Sequence, residues 1–177
     1  MAEVRTAHTA DLDAATLAAA RALMDDAFGD DFEEADWEHA LGGIHALVWE
    51  GGELIGHGSV VLRRMLHGGR ALRTGYVEAV AVRADHRRRG HGGAVMAPLE
   101  HVIRVAYDLG ALGATDAGAA LYRSRGWQRW EGRLSALTPT GVERTEEEEG
   151  YIYVLPVSAS LDLAGELTCD WRDGDVW

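Results

Sequence analysis

The chain has 177 residues, 47% hydrophobic and 26% charged, with a net charge of −12, a single cysteine and no apolar run near the ~20 residues of a membrane span. This length and balance predict one soluble globular domain over residues 1–177 with a real core. They exclude an internal disulfide framework and argue against a nucleic-acid partner, because no basic footprint offsets the acids.

All 17 basic residues are arginine; lysine and asparagine are absent, as a GC-rich coding bias would produce. The N-terminus has no basic segment followed by an apolar one, so no secretory signal is expected, and the lone Cys169 fits a reducing cytoplasm. The acids are clustered. Asp25, Asp26, Asp30, Asp31, Glu33, Glu34, Asp36 and Glu38 lie together without an arginine, Glu146 to Glu149 form a second run, and Asp170, Asp173 and Asp175 a third. Such runs are either solvated faces or a convergence on a cationic ligand. Both readings stay open at this point.

In chain order, Glu3 to Thr6 predicts a first strand. Thr9 or Asp11 can cap a helix running to Phe28, with Leu17, Ala20, Met24 and Phe28 on one face. Glu34 to Leu41 predicts a short helix stopped by Gly42-Gly43. His45 to Trp49, the turn Glu50-Gly51-Gly52-Glu53, Leu54 to Met65, the turn at Gly68-Gly69 and Leu72 to Val82 predict an antiparallel meander, with a bulge at Gly75. Val95, Met96, Leu99, Val102, Ile103 and Ala106 mark the core stripe of a third helix, with Pro98 in its first turns. Leu109 to Thr115 predicts a parallel strand, Asp116 to Ser124 a helix and Trp127 to Leu137 one strand. Pro139-Thr140-Gly141 predicts a turn, Glu146 to Gly150 a loop, Tyr151 to Val157 a strand and Leu167 to Trp171 an edge strand. A meander, a βαβ unit and further strands predict an α/β (α+β) fold with a mixed, mostly antiparallel sheet and helices on both faces.

One stretch organises the rest. The apolar strand ending Val77-Glu78-Ala79-Val80-Ala81-Val82 runs into Arg87-Arg88-Arg89-Gly90-His91-Gly92 and then a helix. Glycines and arginines at a helix N-terminus make a phosphate cradle. The pattern is neither G-x-G-x-x-G nor a P-loop. In this context Arg87-x-x-Gly90-x-Gly92 resembles the GCN5-related N-acetyltransferase (GNAT) superfamily, which binds acetyl-CoA. The resemblance implies that the backbone of Val80, Ala81 and Val82 pairs with the pantetheine arm. It implies that Arg87, Arg88, Arg89, Gly90, His91 and Gly92 hold the pyrophosphate. Leu121-Tyr122 before Gly126-Trp127 is similar to the superfamily's second signature, in which a tyrosine faces the thioester sulfur.

Further segments resemble the aminoglycoside 2′-N-acetyltransferases: Asp36-Trp37-Glu38-His39-Ala40-Leu41-Gly42-Gly43, Gly75-Tyr76-Val77-Glu78, Leu121 to Trp127, and the ending Cys169-Asp170-Trp171-Arg172-Asp173-Gly174-Asp175-Val176-Trp177. That resemblance implies a homodimeric enzyme acting on a polycation, an aminoglycoside. Substrate contacts would come from Asp31, Asp36, Glu78, Ala79, the acidic loop with Glu147 and Glu148, Asp175 and the carboxylate of Trp177. Where the family often has a serine facing substrate, this chain has Gly113. The implied roles are Glu78 as base through water and Tyr122 as acid to the leaving thiolate, with direct attack in a ternary complex. The alternative for Glu78 is a counter-ion to the bound cation. Two other functions remain open: acetylation of another polyamine or cell-wall amine, and non-catalytic acyl-CoA or drug binding. A Cys169 acyl-enzyme is not expected, and the eight histidines show no metal-ligand spacing.

Overall fold

The computed structural model describes residues 1–177. It divides into two compact units, Met1–Val61 with Val77–Val102, and Leu62–Tyr76 with Ile103–Trp177. Strands β3 (Glu53–His67) and β4 (Arg70–Val82) run through both. No helix is long and apolar enough to cross a membrane.

The first unit holds β1 (Glu3–His8), α1 (Ala14–Phe28), α2 (Glu34–His39), β2 (Ile44–Glu50) and most of α3 (His91–Ala106). Helix α1 starts later than the sequence predicts. Asp13 is its cap and accepts from Thr16 N at 2.7 Å, while Thr9–Asp11 form a separate 3-10 turn. Strand β1 pairs antiparallel with β2, and β2 antiparallel with β3, placing Leu47 opposite His57. Helices lie on both faces here. Ala20, Leu23 and Met24 of α1 and Trp37 of α2 form one cluster with Leu47, Leu54 and Ala81. On the opposite face α3 comes so close to β3 that a Cβ at Gly58 would stand 2.7 Å from Val95 Cγ1. Pro98 is mid-helix rather than in the first turns, and α3 continues past it.

The second unit holds β5 (Leu109–Gly113), α4 (Asp116–Ser124), β6 (Gln128–Arg129), β7 (Leu134–Thr138), β8 (Gly141–Arg144), β9 (Ile152–Pro156) and β10 (Leu167–Cys169). Strand β5 runs parallel to β4 and antiparallel to β9. The single strand expected from Trp127 to Leu137 is broken into β6 and β7. Glu131 N and Gly132 N both donate to Leu163 O, and a Cβ at Gly132 would strike the Gly165 carbonyl. Strand β8, for which the residue pattern gives no strand signal, pairs antiparallel with β7. Strand β10 is not an edge: it lies between β3, antiparallel, and β7, parallel. The sheet is thus mixed and mostly antiparallel.

Candidate active site

The arginine turn is built as an anion cradle. Arg88 adopts φ +59° and Gly90 φ +86°, so the chain turns twice through the left-handed region. Glycine does so without cost, whereas Arg88 carries about 1 kcal/mol of strain. Gly90 O accepts the first bond of α3, from Ala94 N at 3.1 Å. The N–H groups of His91, Gly92 and Gly93 precede that bond and have no helical acceptor. No acidic residue occupies this first turn, and Arg88, Arg89 and Gly90 are exposed. Arg87 Nε donates to Val82 O at 3.1 Å, tying the turn to the end of β4. Val80 and Val82 are half-buried and Ala81 is buried in the α1–α2 cluster. These residues fit a pyrophosphate and its attached arm.

Glu78 and Ala79 precede that segment on β4, both half-buried. Gly75, expected as a bulge, is not in the left-handed region; the left-handed residue of β4 is Ala79, at φ +49°. Its carbonyl accepts from His57 Nδ1 at 2.9 Å. Behind His57 stand His45, with Nδ1 2.9 Å from His57 Nε2, and Thr9, with Oγ1 2.7 Å from His45 Nε2. Sequence reasoning misses this buried series. Hairpin counting back from Gly51-Gly52 does not find it: that register sets the two histidines on opposite faces, and only the register shift between Val48 and Trp49 brings both to one face of β2 and β3.

Burial pushes His45 down to about 4, helped by repulsion from His8, and burial pushes His57 to about 4 against its bond to Ala79 O. Unfolded, both titrate near pH 6.5. Between those values the unfolded chain binds protons that the folded one refuses, so stability falls as pH drops from about 6.5 to 4, by on the order of a few kcal/mol for both rings. Urea unfolding at pH 7 and pH 5 checks this. The doubly substituted His45→Leu/His57→Leu chain should lose less stability across that interval than the parent, and an equal loss in both refutes it.

Of the acids in the first unit, Asp31 is exposed in a 3-10 turn, Gly29–Asp31. Asp36 is engaged locally, with its Oδ2 accepting from Glu33 N at 2.9 Å and closing the capping box of α2.

In the second unit the acidic run divides. Arg144 grips Glu149 through two bonds of 2.9 Å and stands 3.7 Å from Glu146. Glu148 is half-buried, and its carboxyl is raised by burial and then by repulsion from Asp175 and Glu147. The structure therefore brings together Glu147, Glu148 and Asp175 as a patch that favours a cation. Trp177 is buried behind it, its Nε1 donating to Thr145 Oγ1 at 2.7 Å and its N to Asp175 Oδ1 at 2.9 Å. Arg172 Nη2 donates to Trp177 O at 2.7 Å, so that oxygen already has a partner. Gly113, the exposed end of β5, leaves room for a side chain: a Cβ there would have only Ile152 Cδ1 and Tyr76 Oη in reach, both at 3.8 Å.

Tyr122 lies on α4 and is buried. Its ring packs edge-on to Trp127, with centroids 6.2 Å apart, and burial raises its hydroxyl to about 12. Gly118, one turn earlier, clears space for the ring, since a Cβ there would stand 3.0 Å from Tyr122 Cε2. Glu78 belongs to the first unit and Tyr122 to the second. Cys169 is buried, its thiol raised to about 11 chiefly by burial, and Sγ donates to Val176 O at 3.3 Å. It is a packed thiol rather than a nucleophile.

Comparison with known proteins bears on these features. The acetyltransferase (GNAT) domain family matches residues 3–130. A curated protein of Mycolicibacterium fortuitum, named aminoglycoside 2′-N-acetyltransferase, is 53% identical over 177 residues, covering 98% of this chain and 91% of that one. The crystal structure of the GNAT family N-acetyltransferase YhbS from Escherichia coli, in complex with CoA, superposes with a TM-score of 0.63 at 17% identity, over 95% of this chain and 89% of that one. Eis1 from Mycobacterium abscessus gives a TM-score of 0.61 at 20% identity over 76% of this chain, which spans 33% of that longer protein. With the family match covering the strand, the arginine turn and the helix that follows, the chain belongs to the GNAT acetyltransferase family.

Proposed function

We propose that the chain transfers the acetyl group of acetyl-CoA to the 2′-amine of aminoglycosides, by direct attack in a ternary complex, and so gives resistance to them. The observation that carries this reading is the half-buried Glu148 carboxylate, which Asp175 and Glu147 repel, while Arg144 pairs with Glu146 and Glu149. A polycationic amine relieves that repulsion; an anionic or neutral acceptor does not. The relative named for this activity supports the same acceptor.

Acetyl-CoA, when bound, supplies an activated acyl group and a thiolate leaving group. The residues of this chain do the rest. The N–H groups between Arg87 and Gly92 and the arginine side chains bind the pyrophosphate, and the backbone of Val80 to Val82 aligns the arm. Glu78 takes the proton of the ammonium through water, because only the free amine attacks. Tyr122 holds the proton that the thiolate needs. Its raised pKa keeps it protonated throughout the neutral range. Asp31, Asp36, Glu78, Ala79, the Gly113 edge, Glu147, Glu148, Asp175 and Trp177 contact the acceptor. A cytoplasmic homodimer is the assembly that accompanies this reading.

The test is a thiol-release assay with paired acceptors, one aminoglycoside bearing a 2′-amine and a matched one bearing a 2′-hydroxyl. Turnover of the first alone is expected. Equal turnover of both, or release with neither, overturns the assignment.

A further inference from the structure

The buried series Thr9–His45–His57–Ala79 has a fixed proton order. Ala79 O only accepts, so His57 must carry its proton on Nδ1. His57 Nε2 then accepts, so His45 must also carry its proton on Nδ1. His45 Nε2 in turn accepts from the Thr9 hydroxyl, which itself accepts from Gly42 N at 2.8 Å. Both rings are fully buried and neutral, and every bond points toward one carbonyl. Apolar side chains would pack β2 and β3 with no such requirement.

The carbonyl at the end belongs to the one left-handed residue of β4. An alanine at φ +49° is strained by about 1 kcal/mol and persists only when its surroundings impose it. Ala79 is also the joint between Glu78 and the Val80–Val82 backbone. We propose that His57, backed by His45 and Thr9, is a positioning residue for acetyl transfer: by holding the Ala79 carbonyl it sets the angle between the Glu78 carboxylate and the cofactor-binding strand. This role rests on the acetyltransferase reading of Glu78.

The experiment combines kinetics with nitrogen-15 NMR of the histidine rings. At pH 7 the parent should show His45 and His57 neutral with the proton on Nδ1. His57→Phe keeps a ring and removes the donor. It should lower kcat about ten- to a hundredfold, with KM for acetyl-CoA little changed. His57→Asn places an amide N–H where Nδ1 stood and should recover most of that loss. If His57→Phe fails to fold, Thr9→Val, which frees the His45 tautomer from the far end, should still slow kcat. Protons on Nε2, an unchanged kcat in His57→Phe or in Thr9→Val, or equal losses in His57→Phe and His57→Asn overturn the proposal. A parent that acetylates no amine overturns the functional reading and the role with it, while the ring spectra decide the hydrogen-bond order separately.

Discussion

Tyr122→Phe is expected to lower kcat by about two orders of magnitude while leaving KM for either substrate nearly unchanged. The substitution removes one oxygen and little else. The ring keeps its edge-on contact with Trp127 and the space beside Gly118, so α4 should fold as before. What is lost is a hydroxyl that burial raises to about 12. A free tyrosine titrates near 10. The shift keeps the hydroxyl protonated well into the alkaline range, where an acid to the thiolate must retain its proton. The parent should therefore show no loss of kcat from Tyr122 ionisation below about pH 10. Steady-state kinetics in both substrates decides the matter. A change confined to KM would reduce Tyr122 to a packing residue.

Arg63→Met should destabilise the fold by about 2–3 kcal/mol and raise KM for the aminoglycoside selectively. Arg63 lies on β3 and is 4% exposed. Its Nε donates to Asp170 Oδ1 at 2.8 Å, and its Nη2 to Asp170 O at 3.0 Å and Val176 O at 2.7 Å. Its guanidinium stands 4.7 Å over the Tyr76 ring, and Asp170 Oδ2 accepts from Arg64 N at 3.0 Å. These bonds clasp the last segment of the chain to β3. Methionine fills similar space but donates nothing, leaving the Val176 carbonyl without this partner. Asp170 is 38% exposed, so water recovers part of its loss and the figure stays below that of a fully buried pair. The same segment carries Asp175 and Trp177, so its release should weaken acceptor binding and leave acetyl-CoA binding alone. Urea unfolding and paired KM values measure both effects. Parental stability with a parental KM would contradict the clasp.

What was legible in the sequence is what local chemistry fixes. The Gly51-Gly52 and Gly68-Gly69 turns, the strand–turn–helix around Arg87 to Gly92 and the helix Asp116 to Ser124 all stand where residue pattern placed them. What was not legible depends on partners far along the chain. Thr9 reads as a helix cap, yet its hydroxyl meets His45, 36 residues away, and Asp13 takes the cap. Gly75 reads as the bulge because glycine tolerates positive φ, yet the left-handed residue of β4 is Ala79, whose carbonyl bonds to His57, 22 residues away. Trp127 to Leu137 reads as one strand until Gly165 approaches Gly132. The acidic run from Glu146 to Glu149 reads as uniform, and only Arg144 separates its neutralised ends from its charged middle. Arg63 carries no signal in sequence, because its partners Asp170 and Val176 are 107 and 113 residues away.

The central claim is the position at which the acetyl group lands. The direct measurement is NMR of the purified product formed from acetyl-CoA and an aminoglycoside that carries a 2′-amine among several others. The expected product carries a single acetyl group whose carbonyl carbon correlates with the proton at the 2′ position, with one equivalent of free thiol released. An acetyl group on any other nitrogen would contradict it.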